Sequence, residues 1–326
     1  MRIAVVINAA AGGLIGKAEA AATVAETLCA AGLDPVVVPP EGTLGERLDA
    51  ALALGAAAVV VGGGDGTITA AAQRLVGTGV PLGILPLGTM NVLARDLGLP
   101  LGLEAAAAAL AHGHARAMDA AEVNGHVFLN ASVIGLPSHL GRHRERERGR
   151  LDLRGKLRFA TAALRGVVHH PPMRLQITIG EEHARVWTRA LAVTNNRLDE
   201  DAARFPARQA LDRGELGLYV AQDFGAWWVT RFVLRVLLRR WRYHPELTFA
   251  TAPEIVIHSP RHRLRVMNDG EALLLETPLR YRILPGALRV LVPPDAPAET
   301  APAPPLGETA PERTGEALPD LGAGGR

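Results

Sequence analysis

One cysteine stands in the whole chain, Cys29, so no intramolecular disulfide can form and no two-cysteine metal site can exist. Its alanine-rich helical surroundings predict a small buried hydrophobe at that position. Aromatic residues are scarce, at 4%, while Ala and Gly abound, a composition suited to close packing of helices on a sheet. A strong charge of either sign is also missing. The formal net charge is +2, which gives no overall argument for a nucleic-acid partner. No run approaches the roughly 18 uninterrupted apolar residues of a membrane span. The opening MRIAVVINAAAGG holds one arginine and a short apolar stretch, and reads as a strand with a glycine loop rather than a signal peptide. These absences leave a protein expected in the cytoplasm, able to touch the inner membrane face without crossing the membrane.

What is present begins with length. A chain of 326 residues can bury a sizeable core, and more than one domain is expected. The first hundred residues alternate regularly. Ile3–Ile7, Pro35–Val38, Ala58–Val61 and Leu82–Leu85 read as strands. Lys17–Ala31, Leu44–Leu54, Thr67–Val76, Met90–Leu97 and Leu103–Ala111 read as helices. Apolar strands without polar alternation belong in a parallel sheet covered on both faces. The prediction is a doubly wound α/β nucleotide-binding domain over residues 1–120, with ligands outside the carboxyl ends of its strands.

After Asp119 the rhythm changes. Short strand-like runs from Val123–Ser132 to Leu279–Ile283 and Leu288–Val292, separated by turn residues, predict a mostly antiparallel β domain over residues 121–292. Its last strand is a candidate to return to the first domain. Two helical stretches interrupt it, near Lys156–Val168 and Phe224–Tyr243. From residue 293 onward Pro, Ala, Gly, Glu and Thr dominate, which predicts a disordered tail.

The chemistry is concentrated in loops. VVVGGGDGTIT (Val59–Thr69) drives a β-branched strand into three glycines at the start of a helix. There the backbone N–H groups of an anion nest and the helix N-terminus attract phosphate. Asp65 is out of place against a phosphate, and reads either as a partner of Mg²⁺ or a ribose hydroxyl, or, with Thr67, as a helix cap. The next strand ends in PLGTMN (Pro86–Asn91), and the first in NAAAGG (Asn8–Gly13). In a doubly wound sheet the three loops share one rim and outline a pocket for a polyphosphorylated ligand. Neither the dinucleotide GxGxxG spacing nor the Walker lysine is present.

GGGDGT followed by PLGTMNVLARDLGLP (Pro86–Pro100) resembles the catalytic domain of the diacylglycerol kinase family, which includes sphingosine kinases and bacterial lipid kinases. The resemblance continues through FLNASVIGL (Phe128–Leu136), LAVTNN (Leu191–Asn196), LDRGELGLYV (Leu211–Val220) and NDGE (Asn268–Glu271). It implies an ATP site at Asn8, Gly63, Gly64, Asp65, Gly66, Thr67, Ile68, Thr69 and Thr89, with Mg²⁺ accompanying the nucleotide. It implies Glu271 as general base with Asp269 beside it, where the residues alone read as an ordinary hairpin turn. It also implies a structural metal loop whose acid falls at Asp212, one position before Arg213. Family members commonly carry Asn and Glu where this chain has Thr69 and Ala70, and Pro and Ser at Ala9 and Ala11. The threonine expected near the end of the second strand has its nearest stand-in in Thr43.

Within Phe224–Tyr243, Arg231, Arg235, Arg239 and Arg242 share one quadrant of a helix and apolar residues occupy the rest. That pattern suits an anionic membrane surface, or packing on the β domain with arginine stems reaching water. The alternating arginines from Arg142 to Arg150 read as a solvated run. The resulting expectation is an ATP-dependent lipid kinase that uses a diacylglycerol- or sphingoid-like acceptor. Its rivals are a soluble-acceptor kinase of the NAD kinase type and a regulator that binds lipid or nucleotide without turnover.

Overall fold

The computed structural model describes residues 1–8, 17–135, 171–198, 208, 210–221 and 247–295. The readings at residues 9–13, 142–150, 156–168 and 224–243, and most of the tail, lie outside the described residues.

The apolar runs become strands because only a sheet covered on both sides hides them. β1 (Arg2–Ile7), α1 (Lys17–Ala30), β2 (Asp34–Val37), α2 (Leu44–Ala53), β3 (Ala58–Gly63), α3 (Asp65–Leu75), β4 (Leu82–Pro86), α4 (Val92–Asp96) and α5 (Leu103–His112) alternate along the chain. The strands pair in parallel in the order β2-β1-β3-β4. Ala4 and Val6 pack toward Leu48, Ala51 and Ala71 of α2 and α3. Ile3 and Val5 turn to Val24, Leu28 and Leu110 of α1 and α5. Alternate residues of β1 thus serve opposite faces, as a pleated strand requires. Cys29 departs from the expectation: it is exposed. Val24 and Leu28, four residues apart, form the buried stripe of α1, and Cys29 lies one position beyond it.

The β-rich half comprises β5 (His114–Val123), β6 (His126–Phe128), β7 (Ala131–Gly135), β8 (Met173–Ile179), β9 (Glu182–Thr188), β10 (Ala190–Asn195), β11 (Leu216–Ala221), β12 (Leu247–Ala252), β13 (Glu254–His258), β14 (Arg263–Asn268), β15 (Glu271–Glu276) and β16 (Leu279–Val292). A six-stranded antiparallel sheet, β12-β11-β10-β7-β14-β15, faces the antiparallel end of a ten-stranded sheet that continues from the parallel strands. Ile134, Val193, Leu218 and Val266 meet Phe128, Ile255, Ile257 and Tyr281 between them.

Two differences from the sequence reading bear on how the halves join. β5 begins at His114, so residue 120 lies inside a strand. The two runs expected at Leu279–Ile283 and Leu288–Val292 are one 14-residue strand, β16, with an irregularity between Leu284 and Leu288. The Pro285-Gly286 pair bends this strand without ending it, and Gly286 takes φ +59. β16 therefore pairs with β13 in the sandwich and with β4 in the parallel sheet. One strand ties the two halves together.

Candidate functional site

Asn8, the glycine loop and the Pro86–Asn91 loop meet through backbone and small side chains. Asn8 donates its backbone N–H to Gly62 O at 2.8 Å, and its Nδ2 to Thr67 Oγ1 at 2.9 Å. Leu87 N–H reaches Gly63 O at 3.1 Å, which seats the Pro86–Asn91 loop on the glycine loop. A Cβ placed on Gly88 would lie 2.5 Å from Gly64 Cα, and one on Gly63 2.7 Å from Thr67. Both approaches need glycine. Gly88→Ala is expected to destabilise the protein by roughly 1–3 kcal/mol, the usual cost of overpacking against backbone. A shift in the urea midpoint checks this; an unchanged midpoint would mean the loops are free to part.

Asp65 has backbone partners that neither of its sequence readings names. Its Oδ2 accepts Asn91 N–H at 3.0 Å and its Oδ1 accepts Val92 N–H at 2.7 Å. It caps α4 of the neighbouring loop rather than its own helix, whose N-cap is Gly64 with no side-chain bond. Neither Asp65 nor Thr67 caps α3. Asn91, to which the sequence assigned no role, holds the loop's shape. It sits in the left-handed region at φ 48, accepts Gly88 N–H, and donates to Pro86 O and Gly88 O. At the start of α3, Thr67 N–H and Ile68 N–H close on Gly64 O at 2.9 and 3.1 Å, which leaves the N–H groups of Asp65 and Gly66 without an acceptor inside the helix. Gly66 and Thr89 are exposed, while Thr67, Ile68 and Thr69 are buried. Thr43, the stand-in considered for the second strand, makes a capping box with Glu46 on α2.

The turn between β14 and β15 is fastened to this rim. Asp269, at φ 48, accepts four hydrogen bonds, two on each carboxylate oxygen. Leu129 N–H and Thr69 Oγ1 reach Oδ2 at 2.7 and 2.8 Å. Asn130 N–H and Ala131 N–H reach Oδ1, each at 2.9 Å. Thr69 lies one turn beyond Asp65 on α3, so the turn is drawn against the helix that opens with the glycine loop. Glu271, two residues on, is exposed. Asp269 is thus saturated by donors, whereas Glu271 is presented to solvent. The structure brings together Asn8, the glycine loop, Thr69, Asp269 and Glu271 from across the chain.

Asp212, the expected metal acid, pairs with Arg116 instead, Nη2 to Oδ2 at 3.0 Å, with both side chains largely buried. A cation already meets that oxygen. Among the described residues no three His, Cys, Asp or Glu side chains converge as a metal site. Close by is Asp119, a residue without a role in the sequence reading. It accepts Gly214 N–H at 2.7 Å and Gly286 N–H at 2.9 Å. Burial pushes its pKa up, against the opposing pull of these hydrogen bonds, and the charge of Asp212 adds to the rise. The folded protein therefore holds this proton more tightly than the unfolded chain. Its contribution to stability declines as pH rises from about 4 through the folded pKa. Relative to Asp119→Asn, the wild type is expected to lose stability across that window. Parallel urea denaturation curves from pH 4 to 7 check the slope.

The outer face of the six-stranded sheet is apolar along one continuous row. Phe249, Tyr219, Ala192, Val133, Met267 and Ala272 are register partners across all six strands. Their chain neighbours Leu218, Val193, Ile134 and Val266 point the other way, into the core. Phe249 and Tyr219 stack at 5.0 Å, and Leu274 on β15 is 57% exposed. The row ends at Ala272, the residue after Glu271.

Residues 2–123 match the family described as diacylglycerol kinase catalytic domain. Residues 135–292 match the YegS C-terminal NAD kinase beta sandwich-like domain. A probable lipid kinase YegS-like protein of Pseudomonas aeruginosa is 47% identical over 100 residues, 30% of this chain and 33% of that protein. Probable lipid kinase YegS of Escherichia fergusonii is 27% identical over 271 residues, 79% of this chain and 85% of that protein. A solved structure of a putative diacylglycerol kinase from Bacillus anthracis str. Sterne superposes with a TM-score of 0.70 at 22% identity, covering 90% of this chain and 98% of that one. That last likeness concerns the fold.

Proposed function

The chain belongs to the diacylglycerol kinase catalytic-domain family and is a kinase, and from that premise we propose that it transfers the γ-phosphoryl group of ATP to the hydroxyl of a lipid. The observation that carries the reading is the fastening of the Glu271 turn onto α3 through Asp269 and Thr69. A base and a phosphate-binding helix are thereby held on one rim.

ATP phosphates would lie over Gly64, Asp65 and Gly66 at the start of α3, with Asn8 and Thr67 bordering them. The small loops leave room for backbone N–H groups to meet the phosphates directly. No carboxylate cluster among the described residues fits a resident ion, so Mg²⁺ is proposed only as the companion of the nucleotide phosphates, and no step runs through it. The lipid hydroxyl would be presented to Glu271 at the start of β15, on the face of the sheet opposite the row from Phe249 to Ala272. Glu271 would take the hydroxyl proton as that oxygen bonds to the γ-phosphorus and the bridge to the β-phosphate breaks, releasing ADP. Asp269 is given the task of holding the turn, because all its strong acceptor directions are filled. A lipid substrate also requires contact with a membrane surface; no helix among the described residues is long and apolar enough to cross one.

The test incubates purified protein with labelled ATP, Mg²⁺ and separate vesicles containing diacylglycerol, a long-chain base or phosphatidylglycerol, with NAD in a parallel tube. Label in one lipid, lost in the Glu271→Ala variant, supports the reading and names the acceptor. Label in NAD alone overturns the lipid assignment, and ATP binding without transfer anywhere points to a regulator.

A further inference from the structure

Beyond the residues assigned to the reaction, one buried side chain touches both halves of the site from behind. Arg208 forms an ion pair with Asp96 in which the two side chains are 2% and 1% exposed. Its Nε and Nη2 meet Asp96 Oδ2 at 3.0 and 2.9 Å. Its remaining donors go to Leu129 O at 2.6 Å, Asn195 O at 2.9 Å and the side-chain Oδ1 of Asn130 at 2.8 Å.

These contacts close a ring. Asp96 ends α4, the short helix whose first N–H groups are held by Asp65. Leu129 and Asn130, gripped by Arg208 through their oxygens, use their N–H groups to hold Asp269. Asp269 in turn receives Thr69 from α3, the helix that carries Asp65. Each link is a direct hydrogen bond or one short rigid element. A planar five-donor guanidinium suits such a junction, whereas a lysine ammonium could satisfy only part of it.

We infer that Arg208 is a positioning residue, which sets the Glu271 turn in register with the glycine loop by bracing residues 129–130 against α4. It touches no reacting atom. In this reading the two halves of the site are aligned by the ring, and correct alignment of reacting groups governs turnover far more than nucleotide binding. The activity readout rests on the kinase reading above.

The test compares wild type with Arg208→Lys and Asn130→Ala, each also combined with Thr69→Val at the far side of the ring. Arg208→Lys should fold, bind ATP within about twofold of wild type, and lose tenfold or more in kcat. Hydrogen exchange should quicken at residues 129–131 and 269–271 while residues 64–67 stay protected. Within the ring, Asn130→Ala and Thr69→Val should not multiply: the double variant should be little worse than the poorer single one. Should Arg208→Lys prove too unstable to assay, Asn130→Ala alone carries the comparison. Equal losses of ATP affinity and turnover, unchanged exchange at 269–271, or multiplicative variants would each overturn the inference. Wild-type protein that phosphorylates no lipid would sink the kinase reading alone, since the exchange data still decide whether Arg208 positions the turn.

Discussion

Replacing Glu271 with alanine is expected to lower kcat by about 10²–10⁴-fold, the usual contribution of a positioned general base, while ATP affinity and stability stay near those of wild type. The separation follows from placement. Glu271 opens β15 and is exposed, and among the described residues its carboxylate makes no hydrogen bond or ion pair. An exposed side chain without such contacts usually changes stability by no more than about 0.5 kcal/mol when removed. The elements proposed to meet the phosphates belong to α3 and its loops, which Glu271 does not brace. Glu271→Gln sharpens the test, because it keeps volume and hydrogen-bonding reach but cannot take a proton. Both variants should therefore lose turnover together, measured under saturating ATP and lipid, with ATP binding followed separately. A glutamine variant that retains most activity while alanine does not would assign Glu271 to orienting the acceptor. Wild-type turnover in both would remove it from the mechanism.

How much of this was legible in the sequence depended on distance along the chain. The parallel strands, the glycine loops and the mainly antiparallel second half follow from local pattern: apolar runs, turn residues and period. The long-range partners do not. Asp65 could be read as a cation partner or a cap, but its actual donors lie 26 and 27 residues away, in a loop whose shape depends on Asn91 at positive φ. Thr69 and Asp269 are 200 residues apart, and nothing in either segment announces the other. β5 escapes a pattern reading because Arg116, Asp119 and Glu122 interrupt its alanines. Those side chains find partners only in the folded state: Arg116 in Asp212, Asp119 in Gly214 and Gly286, and Glu122 in Arg282. β16 reads as two strands because Pro285-Gly286 is a stop signal in most contexts, and here the pairing on both flanks outweighs it. The NDGE turn shows the limit most clearly. Its hairpin character was plain from the residues, and its attachment to the glycine loop was not.

The second large effect should come from that attachment. Asp269→Asn is expected to lower stability by about 2–4 kcal/mol and kcat by a hundredfold or more, with the turn itself still formed. Asparagine accepts the left-handed conformation as readily as aspartate, so the backbone at φ 48 gives no reason for loss. What changes is the acceptor. The carboxylate meets three backbone N–H groups and the Thr69 hydroxyl with two oxygens, and an asparagine amide offers only one oxygen. Its NH₂ group would then face donors, and a buried donor left without an acceptor costs about 1–3 kcal/mol. Thr69→Val, which removes a single link, should cost less in both stability and turnover. If Asp269→Asn matched wild type in urea midpoint and kcat, the four contacts would be incidental and the turn would be held by β14 and β15 alone. If instead stability fell and turnover did not, Asp269 would be a structural clamp with no say in how Glu271 meets its substrate. A joint fall, larger in kcat than Thr69→Val produces and with ATP binding preserved, is the pattern that a turn aligned through Asp269 requires.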